Sequence, residues 1–102
     1  MSVAVKQYDI VRTSDGPLVV VLQSDLIDIV NSRVIAPLYE PHELDPPMKH
    51  LNPTLDVAGR ELVLAVQFSA TLDAREFEEV VGTVVGQRDL VTRATDTLIA
   101  GV

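Results

Sequence analysis

Apolar and polar positions divide the chain into several short strand-like runs followed by one helical stretch. Residues 3–11 and 18–24 have strand character, and Asp15-Gly16 between them reads as a hairpin turn because glycine tolerates positive φ. Pro17 opens the second run, where a missing N–H does least harm. Leu18-Val19-Val20-Val21-Leu22 does not alternate, which predicts burial on both faces and therefore a central strand. Residues 24–28 have no clean period, and 33–38 read as a third strand. Five of the six prolines, at 37, 41, 46, 47 and 53, mark a long loop over 40–53 with room for one short helical turn. Glu40, Glu43 and Asp45 suit a solvated connection there. Residues 54–57 and 61–68 join across Ala58-Gly59 as a second hairpin, with Leu62, Leu64, Val66 and Phe68 on one face. Asp73 followed by Glu76 resembles a capping box and predicts a short helix over 74–79, after which 80–85 returns to strand.

The closing segment, 87–102, has helical periodicity. At about 100° per residue, Leu90, Val91, Ala94 and Leu98 fall on one arc of the width expected for a core-facing stripe. Ile99 lies far outside that arc, together with Thr92, Arg93, Asp96 and Ala100. The elements together predict a mainly β (α+β) fold, an SH3-like open barrel or curved antiparallel sheet with a C-terminal α-helix, as a single domain over 1–102.

Composition narrows the function classes. With 47% hydrophobic residues but only four aromatics (Tyr8, Tyr39, Phe68 and Phe77), the core is filled by Val, Leu and Ile. A net charge of −7 without any basic run removes the phosphate-neutralising term that dominates nucleic-acid affinity, so no direct nucleic-acid partner is expected. The absence of cysteine excludes disulfides, thiolate nucleophiles and cysteine-based zinc sites. No charged leader precedes an apolar segment, and the run 18–22 is far too short to span a bilayer, so no membrane role and a cytoplasmic location are expected.

Candidate chemistry is sparse. His42 and His50, the only imidazoles, lie in the proline-rich loop beside Glu43 and Asp45, at spacings that match no metal-ligand or catalytic motif. No glycine-rich turn joins a strand to a helix, so no nucleotide cofactor is expected. The acidic stretch 73–79, with Arg75 as its only base, reads as a solvated face or as an attraction for a basic peptide. Leu26 and Ile27 read either as a plug at one end of the barrel or as part of a partner surface.

Four blocks in register carry a family resemblance. Gln23-Ser24-Asp25-Leu26-Ile27-Asp28, Arg33-Val34-Ile35-Ala36-Pro37-Leu38, Leu51-Asn52-Pro53 with Gly59, and Gln87-Arg88-Asp89 leading to Ala94, Asp96, Leu98-Ile99 and Gly101-Val102 resemble the CcdB family of toxins. The resemblance implies a homodimeric, non-enzymatic toxin of a type II toxin-antitoxin system, acting on the A subunit of DNA gyrase as a topoisomerase poison. Such systems serve plasmid maintenance. Positions matching the gyrase-binding surface are Leu26, Ile27, Asp96, Ile99, Ala100, Gly101 and Val102. Those implied for binding an antitoxin of the CcdA type are Arg12, Ser24, Asp25, Asp96 and Ile99. The antitoxin's disordered C-terminal segment folds on the toxin, and the complex represses its own operon through the antitoxin's DNA-binding surface. A negatively charged toxin predicts basic residues on the cognate antitoxin. The chain departs from the family at Ala100, where a plasmid-borne member has a tryptophan, and large aromatic anchors dominate small interfaces.

Two other readings share these elements. An endoribonuclease toxin of the MazF and Kid type has this architecture, and Arg12, Arg33, Arg60 and the two histidines are the residues available to it. A homologue that has lost poisoning and only binds its antitoxin fits Ala100.

Overall fold

In the computed structural model, which describes residues 3–27, 31–44 and 46–101, the chain forms a curled antiparallel sheet closed at one side by a helix. Its strands are β1 (Asp9–Thr13), β2 (Leu18–Val21), β3 (Ser32–Tyr39), β4 (Thr54–Val57), β5 (Arg60–Leu64), β6 (Ala70–Asp73) and β7 (Phe77–Thr83). The helix α1 (Arg88–Ala100) follows. Along the sheet the order is β4-β5-β3-β2-β1-β7, and β6 pairs with the first half of β3 while β5 pairs with its last two residues. This is the mainly β, SH3-like architecture with a C-terminal helix that the sequence predicts.

The curl has a local cause. Pairing of β1 with β7 shifts register twice, between Ile10 and Val11 and between Arg12 and Thr13. Irregularities of this kind bend a strand and increase its twist. The non-alternating run in β2 is explained by its position between β1 and β3. Val20 faces one hydrophobic cluster, with Ile10, Ala36, Leu55 and Leu64, whereas Val19 and Val21 face a second, with Val11, Ile35 and Phe77. Burying a valine fully stabilises the fold by about 1.5–3 kcal/mol, so β2 contributes to both layers at once.

Several expected boundaries move. The strand expected over 3–11 starts only at Asp9 because Tyr8 has φ of 73°, and the preceding turn is closed by Asp9 N–H on the Lys6 carbonyl at 3.0 Å. The second run ends at Val21 rather than at 24. The Asp15-Gly16 hairpin forms, but Gly16 keeps negative φ, and what it supplies is space: a Cβ there would stand 3.1 Å from Thr13 Oγ1. Ala58 and Gly59 do use positive φ, 53° and 84°, the geometry that matches a tight hairpin to strand twist. The strand expected over 61–68 stops at Leu64. A 3-10 turn over Val66–Phe68 follows, closed by Phe68 N–H on the Ala65 carbonyl, and Phe68 leaves the core to meet Tyr39 edge to face at 6.2 Å. The helix expected over 74–79 is one 3-10 turn, Ala74–Glu76, capped by the Asp73 side chain. The strand after it therefore starts at Phe77 and ends at Thr83. In the proline-rich loop a 3-10 turn, Pro41–Glu43, is the short helical turn expected there, while Asp45 and Asp28 lie outside the described residues.

Candidate partner-binding surface

Helix α1 is attached to the sheet by its first half. Gln87, just ahead of it, clamps β4 in both directions: its Oε1 accepts from the Asp56 N–H at 2.9 Å and its Nε2 donates to the Asp56 carbonyl at 3.0 Å. One turn later Val91 and Ala94 enter the core at 2% and 0% exposure. Beyond Ala94 no residue of the helix is fully buried among the described residues. Leu98, counted by periodicity in the core stripe, is 39% exposed, and Leu90 at the other end of the stripe is 43% exposed. Only the two middle members of the expected stripe are therefore fully buried, and the two outer ones are partly exposed. Ile99 is 79% exposed, as its position outside the stripe requires.

The exposed end is well terminated. Gly101 takes φ of 75° at the position after the helix, and its N–H donates to the Thr97 carbonyl at 3.0 Å, a left-handed cap that glycine adopts without a Cβ penalty. No basic residue lies in the last turn, and Asp96 is nearby, so the negative end of the helix dipole is uncompensated. This end attracts cationic groups of a partner. Val102 lies outside the described residues.

Leu26 and Ile27 do not plug the barrel: they are 95% and 52% exposed. Their loop is nevertheless built. Ser24 Oγ accepts from the Leu26 N–H at 3.1 Å, and the Ser24 carbonyl accepts from the Ile27 N–H at 3.0 Å. Gln23 spans the loop base, its Nε2 donating to the Ile27 carbonyl at 2.6 Å and its Oε1 accepting from the Val34 N–H at 3.1 Å. Asp25 accepts the Gln7 N–H at 2.8 Å. Two large apolar side chains are thus presented to solvent on a hydrogen-bonded frame, at a cost in exposed apolar area that a partner can recover.

Gln7 and Tyr8, which sequence reasoning missed, connect the two elements. Gln7 holds the loop through Asp25 and through the Leu22 carbonyl at 3.0 Å, while Tyr8 Oη lies 3.4 Å from Thr92 Oγ1 on α1. The Tyr8 carbonyl also accepts the Val84 N–H at 2.9 Å, fixing the approach to the helix. Thr92, Asp96 and Ile99 are spaced i, i+4, i+7 and form one helix stripe, rising about 10 Å from the Tyr8 contact to the tip. The 24–27 loop and the Thr92-Asp96-Ile99 stripe are therefore each tied to one of two adjacent residues, Gln7 and Tyr8, which act as a bracket. No sequence spacing signals this, because the bracket depends on the positive φ of Tyr8.

Arg12 is not part of that assembly. It lies four residues along the chain from Tyr8, about 13 Å of extended strand, and is ion-paired with Glu79 at 2.5 Å and Glu78 at 3.8 Å on β7. Arg60 is paired with Glu40, and Arg75 with Asp73 at 3.1 Å. Among the described residues Arg12, Arg60 and Arg75 are thus paired with carboxylates, the first two of them candidates for an RNA-cleaving groove. Among the described residues no group of three His, Asp or Glu is placed to hold a metal ion, and no helix is long and apolar enough to cross a membrane.

A family model described as CcdB protein matches residues 5–101. No curated protein matches the chain.

Proposed function

Because the chain belongs to the CcdB family, and so is a toxin of a toxin-antitoxin system, we propose that the exposed helix tip and the 24–27 loop together form its docking surface for the A subunit of DNA gyrase. The observation that carries this reading is the exposure of Ile99 and Leu26 on the two elements tied by the Gln7-Tyr8 bracket. Leu26, Ile27, Asp96, Ile99, Ala100 and Gly101 supply the contact, with Val102 following them. A folded plug of this kind acts by binding and needs no catalytic group, cofactor or metal. Its action is cytoplasmic, and as a homodimer it presents two helix tips to a two-fold symmetric target, doubling the contact for the same sequence.

The antitoxin competes for part of the same surface. A segment that folds on the toxin and covers Asp96, Ile99, Ser24 and Asp25 before reaching Arg12 blocks gyrase, and the acidic helix end favours basic residues on it. Autorepression then rests on the antitoxin's DNA contacts. The endoribonuclease reading is weakened by the ion pairs of Arg12 and Arg60, which engage two of the three arginines available to it with carboxylates. Ala100 favours a weaker gyrase contact than a tryptophan at that position gives, since interface aromatics carry a disproportionate share of binding energy.

Purified protein incubated with gyrase and plasmid is expected to accumulate cleaved complexes, and Ala100→Trp is expected to lower the concentration required by at least about tenfold. An absence of gyrase binding in both proteins overturns the gyrase assignment. Antitoxin binding without gyrase binding or growth arrest would identify a homologue that only engages its antitoxin.

A further inference from the structure

Arg93 is on a different face of α1 from the Thr92-Asp96-Ile99 stripe, about 100° around the helix, and its surroundings differ. Its guanidinium lies 3.4 Å from His50 Nε2, and the two side chains line a concavity of about 180 Å³ together with Pro53, Thr54 and Leu90. Asp89 and Asp96, a turn away on the same helix, form no ion pair with Arg93 among the described residues. A guanidinium has only donors, so Arg93 meets a neutral His50 ring through Nε2, and among the described residues no carboxylate pairs with that guanidinium.

The arrangement is fixed by the backbone. His50 has φ of 66°, an uncommon conformation for a side chain of its size. A turn clasped by Asn52 holds it there: Asn52 Oδ1 accepts the Met48 N–H at 2.9 Å, and Asn52 Nδ2 donates to the Leu64 carbonyl at 3.2 Å and to Gln67 Oε1 at 2.6 Å. Asn52 is 7% exposed, a buried polar residue spent on positioning this turn. Backbone held in a sparsely populated region by its surroundings is characteristic of binding sites.

We propose that Arg93, His50 and the Thr54 hydroxyl form a carboxylate site that takes a glutamate or aspartate side chain of a partner protein, with an adjoining aliphatic residue lying against Leu90 and Pro53. A guanidinium presents a donor fork that matches a carboxylate, and an imidazole and a hydroxyl add donors from the other wall. The mixed lining selects a carboxylate on a hydrocarbon stem. A nucleic acid brings a row of phosphates, which the charge of the rest of the chain repels. Reduced hydration of the His50 ring, then the Arg93 guanidinium and the Lys49 ammonium, hold its pKa below the ordinary imidazole range. A carboxylate that accepts from both Arg93 and His50 favours the protonated ring and reverses that balance. The site adds an acidic anchor point to a partner surface otherwise expected to be basic, and it stands independently of gyrase docking.

The test is an NMR titration of the full chain with N-acetyl-Leu-Glu-amide, its Leu-Gln counterpart and inorganic phosphate at matched ionic strength. The His42 ring serves as an internal control. The glutamate peptide is expected to shift the His50 ring signals saturably in the low-millimolar range, to raise the His50 pKa and to leave His42 unmoved. Arg93→Gln, with its backbone spectrum otherwise preserved, is expected to weaken the response at least tenfold. His50→Asn, which tolerates the left-handed turn, is expected to weaken the peptide-induced shift of the Arg93 Nε–H signal. Equal responses at His42 and His50, an equal response to the glutamine peptide, tighter binding of phosphate, or an unaffected Arg93→Gln protein would each overturn the proposal.

Discussion

The two halves of α1 share one helix and have opposite surroundings. In the first half Val91 and Ala94 are sealed against the sheet and Gln87 is bonded both ways to β4, so substitutions there act on stability. In the second half Leu98 and Ile99 meet solvent, and the helix ends on a glycine cap. A helix that served only to close the barrel could stop soon after Ala94. The last turn and a half adds no fully buried residue, and its exposed tip is where one expects an intermolecular role.

The sharpest way to break this contrast is to place the same charge in each half. Val91→Asp buries an unpaired carboxylate in the core and is expected to cost more than about 4 kcal/mol, leaving the protein largely unfolded in circular dichroism. Ile99→Asp is expected to change stability by less than about 0.5 kcal/mol in chemical denaturation, because nothing in the monomer covers that side chain. Between these limits, Asn52→Ala leaves the Met48 N–H and the Leu64 carbonyl without their side-chain partner and is expected to cost about 1–3 kcal/mol, measured the same way.

The smallest effect concerns acid. Asp73 is held below the usual carboxylate range by hydrogen bonds from the Arg75 side chain and then the Arg75 backbone. Its folded-state pKa is depressed, so the unfolded chain takes up the proton first. The stability it contributes is complete above the unfolded value of 3.8 and is lost as pH falls through the lower folded value. Asp73→Asn is therefore expected to remove that small contribution at neutral pH and to make the loss of stability on acidification slightly shallower in that window, measured as denaturation midpoints against pH.

Much of the architecture is legible in the sequence because β2 and β3 are long enough in apolar residues to declare themselves. The run at 18–22 predicts a central strand, and the structure places it between β1 and β3 with both faces covered. What is not legible depends on single backbone conformations. Tyr8 at positive φ ends the expected first strand and at the same time creates the bracket between loop and helix. Strand β6 goes unpredicted because Ala70–Asp73 alternates over only four residues with one large apolar side chain, Leu72, and its strand state comes from pairing along the first half of β3. Leu62 and Leu64 are in the core as expected, but the same alternation continued through Phe68 misleads, since the chain turns after Ala65. Of the candidate surface, Ile99 is signalled by periodicity alone. The exposure of Leu26 and Ile27 is not, because an irregular loop gives no phase from which to read it.

Affinity for the gyrase A subunit, measured by calorimetry for the native chain and for Ile99→Asp beside their denaturation midpoints, tests the central claim most directly. The account predicts binding by the native chain, its loss by at least about tenfold in Ile99→Asp, and unchanged midpoints. Equal affinity of the two folded proteins would contradict it.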